Sequence, residues 1–379
     1  MSGMRIGIEA QRVFRKKKHG MDIVILEVLK QLQQRQTGDD FFVYAQPDED
    51  IAALHAGKHF KINTSANGFY PVWEQRSLPA LAKKDKVDLL HCTSNTAPVN
   101  AGVPLVVTIH DIIYLEKLSF TEGTLYQRFG NLYRRWNVPR IARRADIIIT
   151  VSDYERQRII EALKISPAKV RTVYNACGEH FTAMRDEDQL TAFRKKMNLP
   201  EDFVLFLGNT DPKKNLPNVM RALGILHQRG QLDFTLVMPD FGREHLASLL
   251  AAQNNSHLIE HIMLTGYIPN QQLQYLYQLA NHFLYPSLRE SFGIPILEAM
   301  ACGIPVITSN TSAMPEVAGS GALLIDPLEP EAIANMIHNV RTDETLRNQT
   351  IAYGLKRAAQ FSWKKTAEEV FNIYKEVLS

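Results

Sequence analysis

Short apolar runs rich in β-branched residues alternate with stretches of helical spacing along nearly the whole chain, the pattern of parallel sheets covered by helices on both faces. In the first half, the predicted strands are Arg5 to Ile8, Phe41 to Tyr44, Phe60 to Ile62, Asp88 to His91, Leu105 to Ile109, Ile147 to Val151 and Val170 to Tyr174. Ser152 followed by Glu155 has the form of a capping box, so a helix is expected directly after Val151. Between Gly178 and Pro200 the alternation weakens through the polar Arg185-Asp186-Glu187-Asp188 and the basic Arg194-Lys195-Lys196, and the domain boundary is placed there. Strands resume with Phe203 to Leu207, Phe234 to Met238, Ile262 to Leu264, Phe283 to Tyr285, Pro305 to Thr308 and Ala322 to Ile325. The expected fold is α/β: two doubly wound Rossmann-like domains, 1–185 and 200–361, facing a cleft at the carboxyl ends of their strands. Trp363, Ala367, Val370, Ile373, Tyr374 and Val377 share one helical stripe, so 362–379 is read as a C-terminal helix whose apolar face covers one or both domains and crosses back to the first.

Composition narrows the class. A chain of 379 residues suits two cores, and 45% hydrophobic with 22% charged residues is ordinary for a globular protein, unlike a disordered or fibrous one. With 43 basic and 40 acidic residues the balance gives no reason to expect a nucleic-acid partner. No apolar run approaches the roughly 18 residues that span a bilayer, and Met1 to Gly7 lacks an apolar leader core, so a cytoplasmic location is expected. Cys92, Cys177 and Cys302 are isolated and odd in number, which reads as three reduced thiols rather than a disulfide framework or a zinc site.

Four segments carry candidate chemistry. In the first, the strand Phe283-Leu284-Tyr285 runs through a loop into Glu290-Ser291-Phe292-Gly293-Ile294, then a helix opened by Pro295 and closed by Gly303. Such a helix aims free N–H groups and its positive dipole end at the strand termini, which suits a phosphate, and Gly293 allows close approach to the backbone. Glu298, about one turn inside, can accept hydrogen bonds from two adjacent hydroxyls such as those of a ribose, with Glu290 reaching another part of the same ligand. By spacing alone, both glutamates read equally well as surface residues. In the second segment, Gly208-Asn209-Thr210-Asp211-Pro212-Lys213-Lys214-Asn215, the lysines can stabilise a departing diphosphate or form a solvated basic loop. The third is His110-Asp111 at the end of a strand, either a group that orients a reacting sugar or a structural histidine. The fourth, Arg12 to Asp22, lacks the three-glycine dinucleotide pattern, and its run Arg15 to Lys18 suits an anionic acceptor, an anionic membrane surface or plain solvent.

The run from Tyr285-Pro286-Ser287 through Glu298-Ala299-Met300-Ala301-Cys302-Gly303-Ile304-Pro305-Val306, with Pro315-Glu316-Val317-Ala318-Gly319, Thr265-Gly266-Tyr267 and Phe361-Ser362-Trp363, resembles the retaining glycosyltransferases of family 4, which have the GT-B fold and include bacterial mannosyltransferases. The resemblance covers essentially the whole second domain. It implies that Glu290 contacts the donor sugar, that Glu298 holds the ribose, and that Ser291, Phe292, Gly293 and Ile294 line the donor between them. By the same resemblance, Lys214 and Asn209 meet the diphosphate, His110 stands near the reacting centre and Gly20 near the donor phosphates. Two positions depart from the common pattern: Ser291 replaces a frequent glycine and Asn209 a frequent arginine. The implied activity is metal-independent transfer, without a cofactor, from a nucleoside-diphosphate sugar to a saccharide or lipid-linked acceptor, with retention of configuration. The rivals are a nucleotide-sugar epimerase of the same fold and a non-catalytic nucleotide-sugar-binding protein. Donor base, sugar, acceptor and oligomeric state stay open.

Overall fold

A computed structural model of the chain describes residues 3–16, 18, 20–35, 38–65, 69–116 and 125–379. It divides into two compact units, one made of residues 1–175 with 363–379 and the other of residues 176–362.

The first unit is built on seven strands: β1 (Arg5–Glu9), β2 (Asp40–Ala45), β3 (Phe60–Thr64), β4 (Leu89–Cys92), β5 (Leu105–Thr108), β6 (Ile147–Thr150) and β7 (Val170–Thr172). They pair in the order β3-β2-β1-β4-β5-β6-β7, parallel throughout. The second unit holds β8 (Phe203–Phe206), β9 (Thr235–Met238), β10 (Ile262–Leu264), β11 (His282–Tyr285), β12 (Val306–Ser309) and β13 (Leu323–Ile325), in the order β10-β9-β8-β11-β12-β13 and again parallel. Every predicted strand is present within two residues of its expected bounds. The central strands β4, β5, β6, β8, β11 and β12 are buried end to end, as strands covered by helices on both faces must be. Strand order reverses between β1 and β4 in one unit and between β8 and β11 in the other, which opens a crevice outside the carboxyl ends of each pair.

Ser152 caps the helix Asp153–Leu163 as its sequence predicts, its hydroxyl accepting from the Glu155 N–H at 3.2 Å. The expected boundary between Gly178 and Pro200 is corrected. Its charges belong to the helix Glu187–Met197, where Asp186 accepts from the Gln189 N–H, acids occupy the first turn, and Arg194, Lys195 and Lys196 occupy the last. That polarity complements the helix dipole, and Leu190 and Phe193 form its buried face, with Phe193 against Tyr275. The division falls earlier, after Asn175, and Arg185 is tied to the second unit by donating to the Gln278 carbonyl at 2.7 Å.

The C-terminal helix, Trp363–Leu378, belongs to the first unit. Its apolar stripe is buried there against the first helix, Gly20–Gln33. The Tyr374 hydroxyl is 2.7 Å from His91 Nδ1, and Thr366 donates to the Tyr174 carbonyl at 2.7 Å.

Candidate functional site

In the second unit the predicted residues converge on the crevice between β8 and β11. After β8, Asp211 caps a single turn by accepting from the Lys213 N–H at 3.0 Å, and Asn215 ends that turn in the left-handed region at φ +62°. Asn215 is buried, and its amide donates to the carbonyls of Pro286 at 3.0 Å and Pro327 at 2.6 Å, so one side chain ties the loops that follow β8, β11 and β13. The Leu288 N–H donates to the Lys213 carbonyl at 2.7 Å, a second tie between the first two loops. The outcome is that Lys214 Nζ lies 2.7 Å from Glu290 Oε1 and 2.7 Å from the Tyr285 hydroxyl, with the ammonium 4.5 Å from the centre of the tyrosine ring. The two charged side chains are only 14% and 13% exposed, which lifts this ion pair above a solvent-screened surface contact. Burial and the Glu290 carboxylate raise the Tyr285 phenol well above its ordinary pKa, which keeps it neutral.

Glu290 also donates its backbone N–H to Ser312 Oγ at 3.1 Å. Three residues on, Gly293 takes φ +100° and opens the helix Ile294–Ala301; an added Cβ would lie 3.1 Å from Ile296 Cδ1 in a conformation that side chains rarely adopt. Glu298, on that helix, is buried, and its Oε2 accepts from the Tyr277 hydroxyl at 2.9 Å. Burial raises its pKa to about 7, partly offset by the tyrosine hydrogen bond. The Phe292 ring is buried 6.0 Å from that of Phe361, which leaves its backbone as the part a ligand can meet. Asn209 is exposed, and its side chain accepts from the Asp211 N–H at 2.9 Å, a bond within its own loop.

The first unit carries His110 just past β5. Its Nε2 is 3.0 Å from the Thr93 carbonyl, which can only accept, so the neutral ring carries its proton there and presents Nδ1 as an acceptor. Burial lowers its pKa against the raising influence of the Thr93 bond, Asp111 and Asp22. The His110 N–H donates to Asn95 Oδ1 at 2.6 Å. Asn95 itself follows β4 at φ +68° and donates to Met21 Sδ at 4.0 Å, which places the helix opened by Gly20 beside this strand end. Glu9, the last residue of β1, is fully buried; its two oxygens accept from the N–H groups of Gln11 and Thr93, and burial raises its pKa to about 7. Lys16 pairs with Glu49 at 2.7 Å and Lys18 with Asp50, while Lys17 and His19 lie outside the described residues.

The structure thus brings Lys214 and Glu290 into contact and sets Glu298 on the helix that follows, while His110 and Gly20 lie together in the other unit. Tyr285 and Asn215 lay within the quoted segments without a role, and Glu9 and Asn95 escaped the sequence reading. Glu9 had a signal, an acid closing a strand that is otherwise apolar after its first residue. The three thiols are unbridged. Among the described residues no group of three His, Cys, Asp or Glu could hold a metal ion, and no helix is long and apolar enough to cross a membrane.

Two parallel Rossmann-like sheets, each with polar residues at its switch point, define a GT-B glycosyltransferase fold. The chain belongs to the glycosyl transferases group 1: residues 188–357 match that family's model, and residues 19–177 match the model of glycosyltransferase family 4. O-antigen chain mannosyltransferase B of Escherichia coli is 31% identical over 281 residues, covering 71% of this chain and 70% of that protein. D-inositol 3-phosphate glycosyltransferase of Thermobifida fusca is 25% identical over 95% of this chain and 89% of its own. Among solved structures, Anabaena HepE in complex with UDP and glucose superposes with a TM-score of 0.75 at 19% identity, over 98% of this chain and 99% of that one, a likeness of fold.

Proposed function

We propose that this glycosyltransferase moves a hexosyl group from a nucleoside-diphosphate sugar to an acceptor hydroxyl with retention of configuration. The observation that carries the reading is the Lys214–Glu290 pair at 2.7 Å, beside the helix that bears Glu298. Glu290 accepts from the donor sugar's hydroxyls and Glu298 from the ribose diol. Lys214 and the N–H groups opening the helix Ile294–Ala301 stabilise the departing diphosphate. The bond from the anomeric carbon to the diphosphate oxygen breaks, the acceptor oxygen bonds to that carbon on the same face, and its proton passes to the departing diphosphate. His110, with Nδ1 free of the Thr93 bond, orients a reacting hydroxyl. No metal takes part in this scheme, so a chelator leaves the rate unchanged. Mannose is the first sugar to test, because the Escherichia coli relative is a mannosyltransferase.

The test incubates the chain with uridine, guanosine and adenosine diphosphate sugars, with and without a saccharide acceptor. Release of diphosphate that depends on the acceptor, with a product of the donor's anomeric configuration, is expected. Conversion of the donor without acceptor would make the chain an epimerase, and binding without turnover a non-catalytic receptor. Inverted product would remove the retaining mechanism.

A further inference from the structure

Among the described residues of the first unit, five of the six large apolar side chains that stand exposed gather on one surface: Phe69, Val72, Phe129, Leu132 and Trp136. Phe129, Leu132 and Trp136 follow each other at helical spacing along Leu125–Arg144, and the Phe129 ring meets that of Phe69 at 5.5 Å. The outward set has a local cause. Val138, Ile141 and Ala142 enter the core, and the buried Asn137 donates to the Ala97 carbonyl at 2.8 Å, which turns the Phe129, Leu132 and Trp136 stripe outward. Isolated exposed apolar residues are ordinary, but a contiguous set marks an interaction surface.

Charge says what it meets. The helix carries six arginines and no Asp or Glu over its 20 residues. Arg140, Arg143 and Arg144 are exposed, the Arg140 guanidinium lies 4.9 Å from the Trp136 ring centre, and Arg76 is exposed one turn beyond Val72. Aromatic and aliphatic side chains bordered by arginines on long stems match the boundary between lipid headgroups and acyl chains. A twofold contact with a second copy would set arginine against arginine. The other basic segment, Arg15 to Lys18, spends Lys16 on Glu49 and Lys18 on Asp50.

We propose that the surface formed by Phe69, Val72, Phe129, Leu132 and Trp136, with Arg140, Arg143 and Arg144 beside it, rests on an anionic lipid bilayer, its apolar side chains entering the headgroup boundary and its arginines meeting lipid phosphates. The proposal is independent of which sugar or acceptor the enzyme uses, and its test needs neither. The full chain is sedimented with vesicles of phosphatidylcholine alone or mixed with phosphatidylglycerol, at low and high salt. Binding at least about tenfold stronger to the anionic vesicles, and weakened by salt, is expected. Arg140→Ser with Arg143→Ser weakens it roughly tenfold or more, since each arginine near such a surface contributes about a fivefold effect. Leu132→Ser with Trp136→Ser abolishes it, while Lys16→Ser with Lys18→Ser binds like the unaltered chain. Circular dichroism melts and turnover on a water-soluble acceptor stay unchanged in all three. Equal binding to neutral vesicles, or wild-type binding by the helix variants, would overturn the proposal. So would a lipid-free dimer, or capture of an acidic protein, that Leu132→Ser with Trp136→Ser removes while vesicles are ignored.

Discussion

The two switch points solve the same problem with different materials. Between β8 and β11 the chain sets a lysine against a glutamate, both partly open, in loops tied by Asn215. Between β1 and β4 it buries a carboxyl outright, Glu9, and uses it to bind the N–H groups of its own loops, with neutral His110 alongside. The first arrangement keeps opposite charges ready for exchange with a ligand, because any anion that reaches Lys214 offers what Glu290 already supplies. The second spends its polar groups on shape, so its chemistry rests on one imidazole nitrogen. In the scheme proposed above, charge handling therefore belongs to the second unit, and orientation to the first.

The strongest way to break that comparison is to neutralise the ion pair. Glu290→Ala and Lys214→Ala are each expected to lower kcat roughly a hundred- to thousandfold while the chain stays folded, measured as acceptor-dependent diphosphate release. A loss confined to KM would mean that these residues only bind. Next comes the scaffold: Asn215→Ala leaves the buried Pro286 carbonyl without its donor and the Pro327 carbonyl with Asn218 alone, in a left-handed position, at a cost of roughly 2–3 kcal/mol in stability. Asn215→Gly relieves the backbone part and recovers about 1 kcal/mol, which chemical denaturation resolves.

A smaller effect follows from Glu298. Burial holds its pKa near 7, and hydroxyls donating to it favour the ionised form, so nucleotide affinity rises between about pH 6 and 8, by at most about tenfold per pH unit below the pKa. Calorimetric titration across that range checks it, and Glu298→Gln flattens the profile. Folding responds with the opposite sign. The unfolded carboxyl returns to its ordinary 4.5, so the folded unit holds this proton more tightly, a contribution complete below about pH 4.5 and lost as pH rises through 7. Glu298→Gln therefore raises the melting temperature at about pH 8 more than at pH 5. The smallest change is Tyr374→Phe, which removes the partner of His91 Nδ1 for roughly 1–2 kcal/mol. Hydrogen exchange should locate its loosening in the first unit alone.

The central strands were legible because parallel strands buried on both faces read as nearly uninterrupted apolar runs, and the partly exposed β3 and β7, which carry Lys61 and Arg171, through their β-branched residues. The segment holding Glu290, Gly293 and Glu298 could be singled out because strand, loop and helix follow each other without a break, although spacing alone did not separate the two glutamates from surface residues and their roles came from the resemblance. The roles of Asn215 and Tyr285 were not legible, since their importance lies in the register of β8 beside β11, a fact about residues some 70 positions apart. The helix Glu187–Met197 was misread as a linker because its charges gather at its ends, where they stabilise a helix yet look, in one dimension, like solvent-facing coil.

The membership of Trp363–Leu378 in the first unit has a consequence for biosynthesis. A chain that emerges amino end first presents β1 to β7 long before the helix that completes them. Until that helix arrives, His91 and the Phe41 side of the sheet must wait uncovered while the whole second unit is made and folds. The first unit is begun before the second and completed after it, so a ribosome stalled short of Trp363 leaves a second unit that is whole and a first unit that is an aggregation hazard.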